Sequence, residues 1–336
     1  MNGGRRFSSV VVAGGGAWGT ALASVCAGAG LATTLWCRSA VQARDIARLG
    51  ENETYLPGHK LPAALEVSSS LGVVAGADMI ILATPAQSTR ELGAAIAAHA
   101  RAGTPVLIAA KGLERGSDMM LGDVLGEAAP GLVPLVLSGP SFASDVVSGL
   151  PTAITLAGPD HRLTAAVAGA ISRPAFRIYV SDDLTGVQIG GAVKNVLAIA
   201  AGICAGKQLG ASAHAALVTR SFAELRRLAA ALGAKPDTLF GLSGLGDLML
   251  TCSSMQSRNF SLGFELGQGR GLDEILSSRR SVSEGVHTAG VVSGLAERCG
   301  IDMPVCEAVA DIVTRNADVD EQITKLLSRP LKAETD

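Results

Sequence analysis

The chain has 336 residues, a formal net charge of −2 and 41 glycines; about half of it is apolar and 3% is aromatic. That length allows two domains, each with its own core packed through small side chains. The near-neutral charge gives no basis for binding nucleic acid or an anionic membrane surface. Cys26, Cys37, Cys204, Cys252, Cys299 and Cys306 are scattered without a Cys-x-x-Cys spacing, and no His-Glu-x-x-His occurs. Neither a disulfide framework nor a metal site is expected. Ile189 to Ala205 comes nearest to a membrane span, but Lys194 and Asn195 interrupt it. The polar N-terminal lead and the glycine run after it do not fit a signal peptide, so a cytoplasmic enzyme without membrane insertion is the expectation.

In chain order, the β-branched run Val10–Ala13 leads into Gly14-Gly15-Gly16-Ala17-Trp18-Gly19 and then an alanine-rich helical stretch. This is the strand, turn and helix start of a dinucleotide-binding unit of the Rossmann type. Gly14 permits the tight turn, Gly16 lets backbone approach a pyrophosphate, and Gly19 lets helix pack on strand. The helix N-terminus offers N–H groups and a positive dipole end. The next run, Thr33–Cys37, ends at Arg38. NAD-selective sites usually place a carboxylate there and NADP sites an arginine, so Arg38 points to a 2′-phosphate. The competing reading is a solvated strand-end arginine. Trp36 reads as filling of the sheet face rather than an adenine contact.

Further strand-like runs follow at Met79–Thr84, Pro105–Ala109, Pro134–Ser138, Ala153–Ala157 and Arg177–Val180, with a weaker one at Leu65–Ser68. They alternate with helical segments, which predicts an α/β, doubly wound parallel sheet with helices on both faces. Strand signals stop near Ser181. A dinucleotide-binding domain over 1–181 and an all-α substrate-binding domain over 182–336 follow. Asp182 or Asp183 is the expected N-cap of the first long helix.

That helix carries Lys194. Its surroundings are apolar nearly all round, and Gly190, Gly191 and Ala198 flank the lysine along one face. Burial lowers a lysine's pKa toward the range of proton transfer at neutral pH; the alternative is an amine snorkelling to water. Lys111 and the segment Ser138-Gly139-Pro140-Ser141 fall just past strand runs, where ligands sit in open parallel sheets, though surface turns would look the same. Asp247, in the glycine-rich break Gly241–Asp247, needs a partner if buried. Ser257 is a candidate N-cap that would put Arg258 and Asn259 at a helix start, a good phosphate site.

Together these segments resemble the bacterial-type NAD(P)-dependent sn-glycerol-3-phosphate dehydrogenases. The likeness is carried by the glycine turn, Lys111-Gly112-Leu113, Ser138-Gly139-Pro140-Ser141-Phe142-Ala143, Ala192-Val193-Lys194-Asn195-Val196, Gly244-Leu245-Gly246-Asp247-Leu248, Thr251-Cys252, Ser257-Arg258-Asn259 and Glu284-Gly285-Val286. It runs in order from about residue 8 to 330. The resemblance implies reduction of dihydroxyacetone phosphate to sn-glycerol 3-phosphate with NADPH or NADH, feeding phospholipid synthesis. It implies cofactor contacts from Trp18, Arg38, Lys111, Ala143, Arg258, Val282 and Glu284. Substrate contacts are implied for Lys111, Gly139, Ser141, Lys194, Asp247, Ser257, Arg258 and Asn259, with Lys194 as the proton-transfer residue. Asp145 stands where a Glu is common, Phe260-Ser261 where many relatives have two arginines, and Ser283 where Ala is common. The alternative readings are a 6-phosphogluconate or 3-hydroxyacid dehydrogenase of the same two-domain plan, and a nucleotide-sensing protein without turnover. Oligomeric state, with a homodimer as one option, is left open.

Overall fold

The structure is a computed structural model and describes residues 6–279, 283–330 and 333; Val282 lies outside the described residues. The chain forms two compact units, Met1–Gly191 with Gly233–Asp247, and Ala192–Leu232 with Leu248–Asp336. The expected boundary at 181/182 marks the end of the last strand. The units divide ten residues later, inside a helix, and the segment 233–247 returns to the first unit.

The first unit runs β1 (Ser9–Ala13), α1 (Ala17–Gly28), β2 (Ala32–Trp36), α2 (Ala40–Leu49), β3 (Glu66–Ser68), β4 (Met79–Leu82), α3 (Thr89–Ala97), β5 (Pro105–Ile108), α4 (Leu121–Ala128), β6 (Val133–Ser138), α5 (Ala143–Val147), β7 (Thr152–Ala157), α6 (His161–Ile171) and β8 (Phe176–Ser181). All eight strand runs read from the sequence are strands of one sheet, ordered β3-β2-β1-β4-β5-β6-β7-β8. Alternate residues serve opposite faces: Val10 and Val12 belong to one core cluster, Val11 and Ala13 to another. One expectation needs correction. β7 pairs antiparallel with β6, while every other pair is parallel. The connection holds only the short α5 and a turn at Gly149, so the chain re-enters the sheet from the end at which β6 left it, without a full crossover.

After β8 come α7 (Leu184–Gly206), α8 (Ala211–Ala231), α9 (Pro236–Phe240), α10 (Asp247–Cys252), α11 (Arg258–Gly267), α12 (Leu272–Ser277), α13 (Glu284–Cys299), α14 (Pro304–Arg315) and α15 (Val319–Leu327). Asp183 caps α7, accepting from the Gly186 N–H at 2.8 Å. α7 has the length and hydropathy of a membrane span, but most of that stretch is buried inside the protein. Within the second unit α7 and α11 approach backbone to backbone. A Cβ on Gly202 would lie 2.1 Å from the Phe260 carbonyl oxygen, and one on Gly263 would lie 2.0 Å from that of Ile199. Small residues at these positions let the two helices touch along their length, which brings the start of α11 to the Lys194–Asn195 turn of α7.

Candidate active site

The glycine turn has the form its sequence implies. Gly14 adopts φ +135°, and a Cβ there would meet the Ala83 carbonyl at 2.6 Å; a Cβ on Gly19 would strike the Gly14 carbonyl at 1.9 Å. Gly16 differs: a Cβ there would meet nothing within 4 Å. Gly16 is the N-cap of α1 and gives it no side-chain cap. The Gly15 carbonyl accepts from the amides of Gln42 and Asn52, so one carbonyl of the turn that would repel an anion is already engaged. These features fit a pyrophosphate laid on the α1 N-terminus. Arg38 is exposed just past β2 and has no hydrogen-bond or ion-pair partner among the described residues. Trp18 is partly buried at the start of α1, and Trp36 is in the core with its indole N–H on the Ser69 carbonyl at 3.2 Å. Burial pushes the thiols of Cys26 and Cys37 up to about 12 and about 11, so neither is a nucleophile.

Also in the first unit, Lys111 Nζ donates to Asp247 Oδ2 at 2.6 Å and to the Gly139 carbonyl at 2.9 Å. Asp247 is 1% exposed, so its charge is tolerable only because it is paired. A π-helical turn, Leu242–Gly246, delivers it, and Gly190 makes room for that turn, since a Cβ there would lie 2.7 Å from the Ser243 carbonyl oxygen. Gly139 adopts φ +146° against Ile154, which excludes any side chain, and Ser141 Oγ donates to its carbonyl at 3.1 Å. Ala143 begins α5, and Asp145 accepts from Ser144 Oγ at 3.3 Å. Ser138 belongs to the segment placed where a ligand would sit, but it is not among the substrate contacts that the resemblance implies. Its hydroxyl is buried, has no hydrogen-bond partner among the described residues, and lines one small cavity with Lys111, Gln188 and Gly191. Its place directly before Gly139 was the available signal.

In the second unit, Lys194 is 7% exposed and its Nζ donates to Thr251 Oγ1 at 2.7 Å. The snorkelling alternative is thereby excluded. Ser257 caps α11, accepting from the Phe260 N–H at 3.2 Å, which leaves its hydroxyl proton for another acceptor. Asn259 is buried, with its Nδ2 donating to Asn195 Oδ1 at 2.9 Å and its Oδ1 accepting from Gly285 N at 3.0 Å. Its side chain therefore ties α7, α11 and α13 together. Toward a phosphate it offers its backbone N–H and the remaining Nδ2 hydrogen. Arg258, the first residue of α11, keeps exposed surface, yet crowding by the protein lowers its pKa from the ordinary value while the Glu284 charge raises it. Glu284 begins α13, where an acidic residue suits the helix dipole. Among the described residues no three His, Cys, Asp or Glu side chains are grouped to hold a metal.

Comparison with known proteins agrees over both halves. Residues 9–164 match the family model of the NAD-dependent glycerol-3-phosphate dehydrogenase N-terminus and residues 183–324 that of its C-terminus. The chain is 50% identical to Glycerol-3-phosphate dehydrogenase [NAD(P)+] of Parvibaculum lavamentivorans over 98% of this chain and 99% of that one. The enzyme of the same name from Caulobacter vibrioides is 52% identical over the same shares. A crystal structure of glycerol-3-phosphate dehydrogenase from Coxiella burnetii superposes with a TM-score of 0.92 at 34% identity, covering 96% of this chain and 99% of that one. The 6-phosphogluconate and 3-hydroxyacid alternatives are set aside by these matches. The chain belongs to the NAD-dependent glycerol-3-phosphate dehydrogenase family.

Proposed function

We propose that the chain moves a hydride between NAD(P)H and dihydroxyacetone phosphate, giving sn-glycerol 3-phosphate for glycerophospholipid synthesis in the cytoplasm. The observation that carries this reading is the buried Lys194 amine, held by Thr251 on a largely apolar helix of a chain in this family. The first unit is the dinucleotide-binding one, with Gly14, Gly16, Trp18, Gly19 and Arg38 at the cofactor. Lys111, Ala143, Arg258 and Glu284 are the further cofactor contacts that the family resemblance implies. When bound, the nicotinamide supplies hydride to the carbonyl carbon of the substrate.

The carbonyl oxygen then gathers negative charge and needs a proton. Lys194 Nζ donates it, leaving a neutral amine that solvent reprotonates; in the oxidation it accepts the proton from the alcohol. Lys111 contacts the substrate as a cation, with Asp247 fixing the direction of its amine. Gly139 and Ser141 shape the adjoining turn. The N-terminus of α11, with Ser257, Arg258 and Asn259, takes the substrate phosphate. The exposed cation of Arg38 supports a preference for NADPH that is partial. The test is NADPH oxidation, followed by absorbance, with dihydroxyacetone phosphate and with dihydroxyacetone. Far more efficient turnover of the phosphorylated ketone than of the unphosphorylated one is expected. No turnover with either, together with activity on a hydroxyacid panel, would overturn the reading.

A further inference from the structure

The second cation at the start of α11 comes from far along the chain. Phe260 and Ser261 carry no charge, and the face they leave is occupied by Arg279. Its Nη1 donates to the Arg258 carbonyl at 2.7 Å and to Ser261 Oγ at 3.2 Å, and its Nη2 donates to Glu265 Oε1 at 2.5 Å. Residues 258, 261 and 265 fall on one face of α11, so a single guanidinium spans two turns of that helix. Glu265 is itself held from the other side, where Arg270 pairs with its second oxygen while also bonding Glu274 at 2.8 Å. The Arg279 side chain is only 16% exposed. A half-buried fork with three acceptors at one helix start fixes backbone more firmly than a lone surface ion pair does.

We infer that Arg279, anchored by Glu265, is a positioning residue for Arg258: it holds the Arg258 backbone so that the Arg258 side chain and the α11 N–H groups stand ready for the substrate phosphate. This rests on the proposed phosphate role of α11. Arg279 acts through its bond to the Arg258 carbonyl, and its own charge is neutralised by Glu265. The two possible roles of Arg279 therefore separate cleanly. If it positions Arg258, removing Glu265 loosens the same clamp and does the same harm as removing Arg279. If it binds the phosphate itself, removing Glu265 frees its charge and leaves or improves binding.

The experiment is steady-state kinetics of NADPH-dependent reduction of dihydroxyacetone phosphate by wild type, Arg279→Ala, Glu265→Ala, the double variant and Arg279→Lys, with melting temperatures alongside. Each single Ala variant should raise KM for dihydroxyacetone phosphate about three- to tenfold, the size of one net hydrogen bond, with kcat within about twofold. The double variant should be no worse than the singles, because both act through one clamp. Arg279→Lys keeps the charge but cannot fork, and should recover part of the loss. An unchanged or lowered KM in Glu265→Ala beside a raised KM in Arg279→Ala would overturn the inference in favour of direct phosphate binding. Altered melting temperatures with unaltered KM would overturn it in favour of a purely structural clamp. A wild-type enzyme inactive on dihydroxyacetone phosphate would overturn the parent reading and this one with it.

Discussion

α1 and α14 both begin without a side-chain cap of their own, and they end up in opposite situations. At α14 the protein fills the positive end itself. Glu224 reaches over from α8 and accepts from the N–H groups of Val305 at 2.9 Å and Cys306 at 3.2 Å. At α1 the N-cap is a glycine with open space beside it, and the nearby Gly15 carbonyl is occupied by two amides. The electrostatics of the two ends are the same. What differs is that an internal carboxylate completes the α14 end, while the α1 end is left open beside Gly16. Filling the end internally has a cost: Glu224 is 2% exposed, and burial pushes its pKa up to about 7 despite the two N–H donors. We propose that the α1 end is kept for the cofactor pyrophosphate; no buried carboxylate is then needed there.

If structural ends and ligand ends are separate, chemistry and stability should fail at different residues. Lys194→Ala should lower turnover by about 10²–10⁴-fold, the range for a general acid, with NADPH affinity and melting temperature near wild type. Retained turnover would remove Lys194 from the chemistry, and a collapsed melting temperature would make it structural.

Glu224 tests the internally filled end. Its folded pKa of about 7 lies above the unfolded value, so the folded state binds the proton more tightly. The stability this gives is complete below the unfolded pKa and is lost as pH rises through about 7. Wild type should therefore lose up to about 3 kcal/mol relative to Glu224→Gln between pH 5 and pH 8. Melting curves of the two proteins that stay parallel across that range would contradict it.

The open end predicts the reverse separation. Gly16→Ala adds a Cβ that meets no protein atom and suits the local φ of −79°. Its melting temperature without cofactor should match wild type, while NADPH should bind about tenfold or more weakly because the backbone can no longer approach the pyrophosphate. Unchanged affinity in a binding titration would mean that α1 does not carry the phosphates. The smallest effect is at Arg38. Arg38→Ala should raise KM for NADPH a few-fold more than KM for NADH, since an exposed charge contributes modestly, and equal changes would deny it the 2′-phosphate.

The sequence made the first unit legible because buried parallel strands write themselves as apolar runs and the cofactor turn writes itself in glycines. All eight strands were readable for that local reason, and the caps were readable from residue type, Ser257 as named and Asp183 as one of two candidates with Asp182. The reversed direction of β7 was not, because strand direction depends on the path of the connection and not on the residues of the strand. Pairings across long stretches of chain were equally hidden. Asp247 announced a need for a partner, but nothing local said that Lys111, 136 residues away, supplies it. Asn259 looked like a phosphate ligand, but nothing local said that its amide also bonds Asn195 and Gly285. The packing of α7 on α11 was present in the sequence as Gly202, Gly206, Gly263 and Gly267, yet glycines in a chain this rich in them gave no reason to pair those four.

The central claim is that α1 serves the cofactor and α11 the substrate phosphate, and Arg258 tests it most directly. kcat/KM should be measured for dihydroxyacetone phosphate and for dihydroxyacetone, in wild type and in Arg258→Ala. A hydrogen bond to a charged group contributes about 1.5–3 kcal/mol. Efficiency with the phosphorylated ketone should therefore fall at least about tenfold, and that with the unphosphorylated ketone much less. An equal loss on both substrates would contradict the claim and assign Arg258 to the cofactor or to the fold.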